Sequence, residues 1–106
     1  MELNEYQAKA LKTAVYPGKG VKAGLEYTLF GLLGEAGELA NKYKKTLRSE
    51  INPYSQREIL MDELSDVLWY AAAVANELGY SLEYVCQFNV AKLAARRVAG
   101  ELKEHE

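Results

Sequence analysis

Apolar residues recur along this chain at spacings of three and four, which is the period of an amphipathic α-helix. Clusters of turn-forming residues interrupt the pattern at Tyr16-Pro17-Gly18, at Asn52-Pro53 and at Gly79. No stretch of β-branched and aromatic residues alternates with a period of two, so strands are not expected. The chain is therefore predicted to be all-α, with four helices at roughly residues 2–15, 22–47, 55–78 and 81–102.

The ends of the predicted helices carry local signals. Ser55 followed by Glu58 has the spacing of a capping box at the start of the third helix. Gly79 is placed to end that helix, and Ser81 to cap the fourth. Because the connections are short, neighbouring helices should pack antiparallel, which predicts a four-helix antiparallel bundle-like protomer.

The second and third helices each have one apolar arc that needs a packing partner. A single copy of the chain would expose much of this apolar surface, so we expect a homodimer or a dimer of dimers. The arc of the second helix consists of Leu25, Leu29, Leu32, Leu33, Ala36, Leu39, Ala40 and Tyr43. The arc of the third consists of Leu60, Leu64, Val67, Leu68, Ala71, Val74, Ala75 and Leu78.

Unfavourable residues are concentrated in the second helix, in the segment FGLLGEAGELAN at residues 30–41. Gly31, Gly34 and Gly37 each cost about 1 kcal/mol relative to alanine inside a helix. Glu35 and Glu38 add like-charge repulsion at a spacing of three. This combination indicates a functional surface, because bare backbone lets a ligand or another backbone approach the two acids.

A second acidic pair, Glu63 and Asp66, has the same spacing in the third helix. At about 100° per residue, both pairs lie beside their apolar arcs and on the same side. If the arcs face each other, the carboxylates converge, and a divalent cation relieves the repulsion that would otherwise raise their pKa values. Oxygen ligands favour Mg²⁺, with Mn²⁺ as a possible substitute, over zinc. The alternative is a solvated helix surface with ordinary pairs such as Glu38 with Lys42.

These segments together resemble the all-α nucleoside triphosphate pyrophosphohydrolase superfamily, the MazG-like proteins. The resemblance rests on GEAGEL at residues 34–39, on ELSDVL at residues 63–68, and on Asn89 with Lys92 in the last helix. It covers most of residues 24–97. One departure is visible, because many relatives have a further glutamate where this chain has Gly34.

The resemblance implies a Mg²⁺-dependent enzyme that cleaves a nucleotide between its α- and β-phosphates, giving a monophosphate and pyrophosphate. Either Glu35 or Glu38 would serve as the general base, and the choice between them stays open. The metal ligands would be Glu35, Glu38, Glu63 and Asp66.

Candidate substrate contacts lie on the third and fourth helices. Asn89, Lys92 and Arg96 share one face of the fourth helix and would contact phosphates or sugar. Tyr70, one turn after Asp66, would be a platform for the base or sugar. Trp69 points roughly away from the acids, which indicates packing or a subunit interface. The other candidates for a base pocket are Tyr6, Tyr16, Tyr27 and Tyr54.

Length, charge and cysteine content limit the number of domains, the kinds of partner and the cellular location that are expected. A length of 106 residues predicts a single domain over residues 1–106. The net charge of −2 gives no global field that attracts nucleic acid or an anionic membrane, and no apolar stretch is long enough to span a bilayer. The first residues lack a signal-peptide pattern, and the single cysteine, Cys86, suits a reducing compartment. We therefore expect a cytoplasmic protein.

Three alternatives remain at the level of sequence. A di-metal carboxylate bundle of the ferritin type normally needs two Glu-x-x-His motifs, but this chain has one histidine, His105. A non-enzymatic helical oligomerisation or interaction module would explain the amphipathic helices but not the matched acids and glycines. Within the superfamily, a phosphoribosyl-ATP or dUTP-specific pyrophosphohydrolase competes with an enzyme that cleanses the nucleotide pool of standard or damaged triphosphates.

Overall fold

A computed structural model describes residues 1–101, and over these residues the chain forms four helices and no strand. The prediction of an all-α protomer is confirmed. The last residues of the fourth predicted helix, and His105, lie outside the described residues, and the single-domain organisation stays a prediction. The helices are α1 (Leu3–Leu11), α2 (Lys22–Thr46), α3 (Pro53–Glu77) and α4 (Leu82–Ala99).

The start of α3 differs from the prediction. Asn52, not Ser55, is the N-cap, and its side chain accepts a hydrogen bond of 2.8 Å from the Ser55 backbone N–H. Pro53 follows at the first helical position, where its fixed φ angle suits a helix and its missing N–H costs nothing. The predicted cap of α4 is correct, because the Ser81 hydroxyl accepts from the Tyr84 N–H at 3.1 Å.

The end of α1 also differs from the prediction, since the helix stops at Leu11. The Ala10 carbonyl accepts hydrogen bonds from the backbone N–H and the hydroxyl of Thr13, at 3.0 and 2.7 Å. It accepts a third from the Trp69 indole N–H at 3.2 Å. These donors replace the helical bond from Ala14, whose N–H instead donates to Leu11.

The Asn52 cap gives a direct stability prediction. Asn52→Ala is expected to lower the free energy of unfolding by about 1 kcal/mol, because the Ser55 N–H loses its acceptor. Chemical denaturation measures this loss. Ser55→Ala is the matched control and should change stability much less, since only the backbone of Ser55 takes part in the cap. A larger loss of stability from Ser55→Ala than from Asn52→Ala would contradict the Asn52 cap and support the capping box predicted from the sequence.

α2 and α3 pack along each other as an antiparallel hairpin, and α1 and α4 both pack on α3 and on each other. α2 and α4 do not pack against each other. The core of the single chain is small and rich in alanine, with Ala72 and Ala73 of α3 almost fully buried. Gln7 of α1 ties this core together, because it donates to the Ala72 and Tyr80 carbonyls and accepts from the Leu82 N–H at 2.9 Å.

Much of the two predicted apolar arcs is open in the single chain. Leu33 of α2 is 71% exposed and Leu64 of α3 is 55% exposed. The buried residues of α2 are instead Gly24 and Thr28. The hairpin therefore presents a wide apolar surface to its surroundings. No helix within residues 1–101 is both long enough and apolar enough to cross a membrane.

Candidate active site

Three carboxylates meet where α2 crosses α3. Glu35 of α2 and Glu63 and Asp66 of α3 each place an oxygen within 4.8 Å of the other two. The antiparallel hairpin sets the middle of α2 against the middle of α3, and the spacing of three puts both α3 acids on the side that faces Glu35. Glu63 is the most enclosed of the three, at 9% exposed. We refer to Glu35, Glu63 and Asp66 as the acidic cluster.

The electrostatics of the acidic cluster are unfavourable to three negative charges. Burial, followed by the charges of Asp66, Glu63 and Glu38, raises the pKa of Glu35. The cluster has a cationic neighbour, because the Lys42 ammonium lies 3.9 Å from a carboxylate oxygen of Glu63. Such a group binds a proton or a cation more readily than isolated carboxylates do.

Glu38 lies beside the acidic cluster rather than within it. The sequence predicted that four carboxylates converge, whereas the oxygens that approach one another belong to Glu35, Glu63 and Asp66. The charge of Glu38 still contributes to the raised pKa of Glu35. Lys42 pairs with Glu63 across the helices, and not with Glu38 one turn earlier. Glu38 stays a predicted metal ligand and general base.

Two tyrosines border the acidic cluster. Burial, the neighbouring phenol of Tyr27, and the charges of Glu35 and Asp66 raise the pKa of Tyr70. Burial and the charge of Asp66 raise the pKa of Tyr6, which α1 brings to the same region. Both phenols therefore stay protonated beside the carboxylates at neutral pH, where they are available as hydrogen-bond donors.

The three glycines of α2 have different environments. A Cβ atom on Gly31 would overlap the Tyr70 ring, so Gly31 is where the tyrosine packs against the backbone of α2. The expectation that Gly31 merely leaves the acids unshielded is therefore incomplete. Within the part of the chain that the structure describes, a Cβ on Gly34 or Gly37 would have no neighbour within 4 Å other than the adjoining residues and the local helix backbone. Those two glycines leave an open surface beside Glu35 and Glu38.

An aromatic pocket of about 270 Å³ adjoins this region, and Tyr70 is part of its wall. The Tyr16 and Tyr27 rings stack with centroids 5.6 Å apart, and Trp69 meets Tyr70 edge to face at 4.9 Å. The Trp69 indole N–H donates to the Thr13 hydroxyl at 2.9 Å, in keeping with the expected packing role. The lining residues are Thr13, Val15, Tyr16, Pro17, Tyr27, Trp69 and Tyr70.

The predicted substrate contacts of α4 are not joined to the acidic cluster in the single chain. Asn89 and Lys92 are exposed, and within the described residues the side chain of neither makes a hydrogen bond or an ion pair. Arg96 is partly buried. The start of α4 is attached to α1, where the Glu83 N–H donates to the Asn4 side chain at 3.2 Å. α4 does not pack against α2, which carries Glu35.

Sequence reasoning did not identify Glu77 as a functional candidate. Its carboxylate accepts hydrogen bonds from the Tyr16 hydroxyl and the Gly20 N–H, and so holds the loop that carries part of the aromatic pocket. The only signal in the sequence is the group of glycines at Gly18, Gly20 and Gly24. That signal has meaning only once the loop is known to cross the end of α3.

A family profile and a solved structure both relate this chain to the MazG family. The profile of the MazG nucleotide pyrophosphohydrolase domain matches residues 24–99, which include the predicted metal ligands and the predicted substrate contacts on α3 and α4. Gene 37 protein of Mycobacterium phage L5 is 44% identical over 108 residues, covering 97% of this chain and 95% of that protein. The crystal structure of iMazG from Vibrio DAT 722 has a TM-score of 0.63 and 27% identity, covering 91% of this chain and 97% of that one. This chain belongs to the MazG nucleotide pyrophosphohydrolase domain family.

Proposed function

We propose that this protein hydrolyses nucleoside triphosphates, standard or damaged, to the monophosphate and pyrophosphate with the help of Mg²⁺. The observation that carries the proposal is the acidic cluster, in which oxygens of Glu35, Glu63 and Asp66 approach within 4.8 Å of one another. Its position in a MazG-family chain supports the same reaction class. The biological role would be cleansing of the nucleotide pool in the cytoplasm.

The residues at the acidic cluster fit a hard divalent cation. All the donors are carboxylate oxygens, the donor type preferred by Mg²⁺ and accepted by Mn²⁺. Burial and the neighbouring carboxylates raise the pKa of Glu35, and a bound cation would offset this repulsion. Glu35, Glu63 and Asp66 would hold the metal, with Glu38 completing the set. A bound Mg²⁺ neutralises phosphate charge and lowers the pKa of water.

Side chains of the protein would transfer the proton and position the substrate. Glu35 or Glu38 accepts the proton of the attacking water, and Tyr70 supports the sugar or base. Phosphoryl transfer depends mainly on positioning and charge neutralisation, which suits the predicted phosphate contacts. Those contacts are Asn89, Lys92 and Arg96. Because α4 does not pack against α2, a second copy of the chain is the simplest way to bring an α4 to the cluster.

The reaction is tested by measuring pyrophosphate release from a panel of substrates with Mg²⁺. The panel includes the standard ribo- and deoxyribonucleoside triphosphates, oxidised and deaminated forms, dUTP and phosphoribosyl-ATP. Preference for dUTP or phosphoribosyl-ATP would select one of the narrower activities within the superfamily. No pyrophosphate from any substrate would refute the proposal.

The exposed apolar surface of the hairpin supports a homodimer or a dimer of dimers. Leu29, Phe30 and Leu33 of α2 are 46%, 73% and 71% exposed, which is unusual for neighbouring large apolar residues on a stable monomer. The same surface is the one observation that favours a non-enzymatic interaction module. An enzyme would release pyrophosphate and an interaction module would not, so the substrate panel distinguishes the two roles.

Leu33→Asp is expected to convert the oligomer to a monomer, because a carboxylate at the centre of an apolar interface loses its hydration. Light scattering would then give the 11.9 kDa mass of one chain, where the unaltered protein gives a multiple of it. Leu33→Met, which keeps the apolar volume, should leave the oligomer intact. An unaltered protein that is monomeric at all concentrations would contradict the proposed assembly.

A further inference from the structure

The loop between α1 and α2 is fastened to the end of α3 by one carboxylate. Glu77 accepts a hydrogen bond of 2.7 Å from the Tyr16 hydroxyl through Oε1. The Gly20 N–H also donates to this carboxylate, at 2.9 Å to Oε1 and 3.1 Å to Oε2. Hydrogen bonds to an ionised acceptor are stronger than neutral ones, so this contact fixes both a side chain and the backbone of the loop.

The backbone conformation of the loop brings it close enough to α3 for these hydrogen bonds. Gly18 and Gly20 have φ angles of +74° and +86°, in the left-handed region that favours glycine. A Cβ atom on Gly24 would overlap the Gly18 carbonyl and come within 2.7 Å of Oε1 of Glu77. The loop, the first turn of α2 and the end of α3 therefore meet at van der Waals distance, with Glu77 between them.

The hydrogen bonds to Glu77 set the position of the Tyr16 ring. Tyr16 stacks on Tyr27 with the rings 10° from parallel, and its edge-to-face contact with Trp69 has centroids 6.4 Å apart. These rings, with Tyr70, form the aromatic pocket of about 270 Å³. Without the bond to Glu77, Tyr16 would be held only by its ring contacts on an exposed loop.

Tyr70 lies between the aromatic pocket and the acidic cluster. Tyr70 lines the pocket, and its ring packs on Gly31, one helical turn before Glu35. The residues that line the pocket carry no formal charge at neutral pH, whereas the cluster is acidic. A planar, uncharged, stacking group suits the first environment, and metal-bound phosphates suit the second. A nucleotide contains both groups in one molecule.

We propose that Glu77 is a positioning residue for nucleotide binding, because it holds the Tyr16 wall of the aromatic pocket, where the base of the proposed substrate would stack beside Tyr70. The inference rests on the proposed function, since the acidic cluster must bind the phosphates of the same nucleotide. Glu77 does not itself reach the reacting phosphates. It lies eleven residues after Asp66 on α3, which is about 16 Å along the helix axis.

The single tryptophan of the chain provides the readout, because Trp69 lines the pocket. Its fluorescence is titrated with a nucleoside triphosphate that has a methylene group between the α- and β-phosphorus, in the presence of Mg²⁺. Inorganic tripolyphosphate, which has no base, is titrated in parallel. The nucleotide analogue is expected to quench Trp69, and tripolyphosphate is expected to bind with little change in fluorescence.

Two substitutions test the role of Glu77. Glu77→Gln keeps the shape of the side chain, and Tyr16→Phe keeps the ring but removes its donor hydroxyl. Each is expected to weaken binding of the nucleotide analogue by about tenfold or less, because Glu77→Gln removes the charge of the acceptor and Tyr16→Phe removes the donor. KM for the substrate rises by a similar factor, and kcat and tripolyphosphate affinity change little. Glu26→Gln, an exposed glutamate on α2, is the matched control and should leave all of these values unchanged.

The outcomes separate this inference from the proposed function. If pyrophosphate release is seen but both variants bind the analogue as tightly as the unaltered protein, the base subsite is wrong and the proposed function stands. If no substrate is hydrolysed, the proposed function fails, and the fluorescence titration still decides whether the pocket binds a base. Equal loss of tripolyphosphate and nucleotide binding would assign Glu77 a general structural role and overturn the proposal.

Discussion

Asp66→Asn is expected to lower the rate of pyrophosphate release on the order of 100-fold, because it removes one charged oxygen ligand from the acidic cluster. Asparagine has nearly the same shape as aspartate, so the fold should be preserved. Initial rates at saturating Mg²⁺ and nucleotide measure the effect. Asp62→Asn is a matched control on the same helix, since Asp62 is exposed and lies outside the cluster. Full activity in Asp66→Asn would contradict the assignment.

Asp66→Asn is expected to lower activity but to raise the stability of the metal-free protein. The charge of Asp66 contributes to the raised pKa of Glu35, so its removal relieves repulsion in the folded state. The melting temperature without metal should therefore rise in Asp66→Asn. The further rise caused by Mg²⁺ should be smaller than in the unaltered protein, because a ligand stabilises a fold only as far as it binds. If Asp66→Asn makes the metal-free protein more stable but less active, the acidic cluster serves function and not stability.

Gly31→Ala is expected to destabilise the protein, although helix propensity alone predicts the reverse. Alanine is favoured over glycine by about 1 kcal/mol inside a helix. The added Cβ would overlap the Tyr70 ring, which also makes an edge-to-face contact with Trp69. Forcing extra volume into a packed contact typically costs about 1–3 kcal/mol, so the overlap should outweigh the propensity gain. Chemical denaturation gives the free energy of unfolding.

Two further variants give this prediction its controls. Gly37→Ala adds the same methyl group where, among residues 1–101, no atom beyond the adjoining residues and the local helix backbone lies within 4 Å, and in the single chain it should be stabilising. Combining Gly31→Ala with Tyr70→Ala removes the ring that the new Cβ would meet, so the cost of Gly31→Ala should shrink in that background. An increase in stability for Gly31→Ala alone would show that Tyr70 moves aside without cost, and would contradict the packing described for the pocket wall.

The helices and the convergence of acids could be predicted from the sequence because both depend on helical period. The spacing of apolar residues located all four helices, and the matched spacing of three placed Glu63 and Asp66 opposite Glu35. The position of Glu38 was not accessible in this way. It depends on the axial register of α2 against α3 and on side-chain directions, which a helical period alone does not specify.

Other features could not be predicted because they depend on contacts between distant segments. Asn52 and Ser55 are both good caps three residues apart, and local propensity does not choose between them. The contact of Gly31 with Tyr70 needs the register of the hairpin, and the bond between Glu77 and Tyr16 needs the path of a loop. Much of the two predicted apolar arcs is exposed in the single chain, and the sequence could not say which part is covered within one chain.

The central claim is that a nucleotide bound at the acidic cluster is cleaved between its α- and β-phosphates. Phosphorus NMR of the reaction mixture tests this most directly, because it identifies the products as well as the rate. The account predicts nucleoside monophosphate and pyrophosphate in equal amounts, formed with Mg²⁺ and not with excess chelator, and almost none with Asp66→Asn. Formation of nucleoside diphosphate and orthophosphate, or equal rates with and without metal, would contradict it.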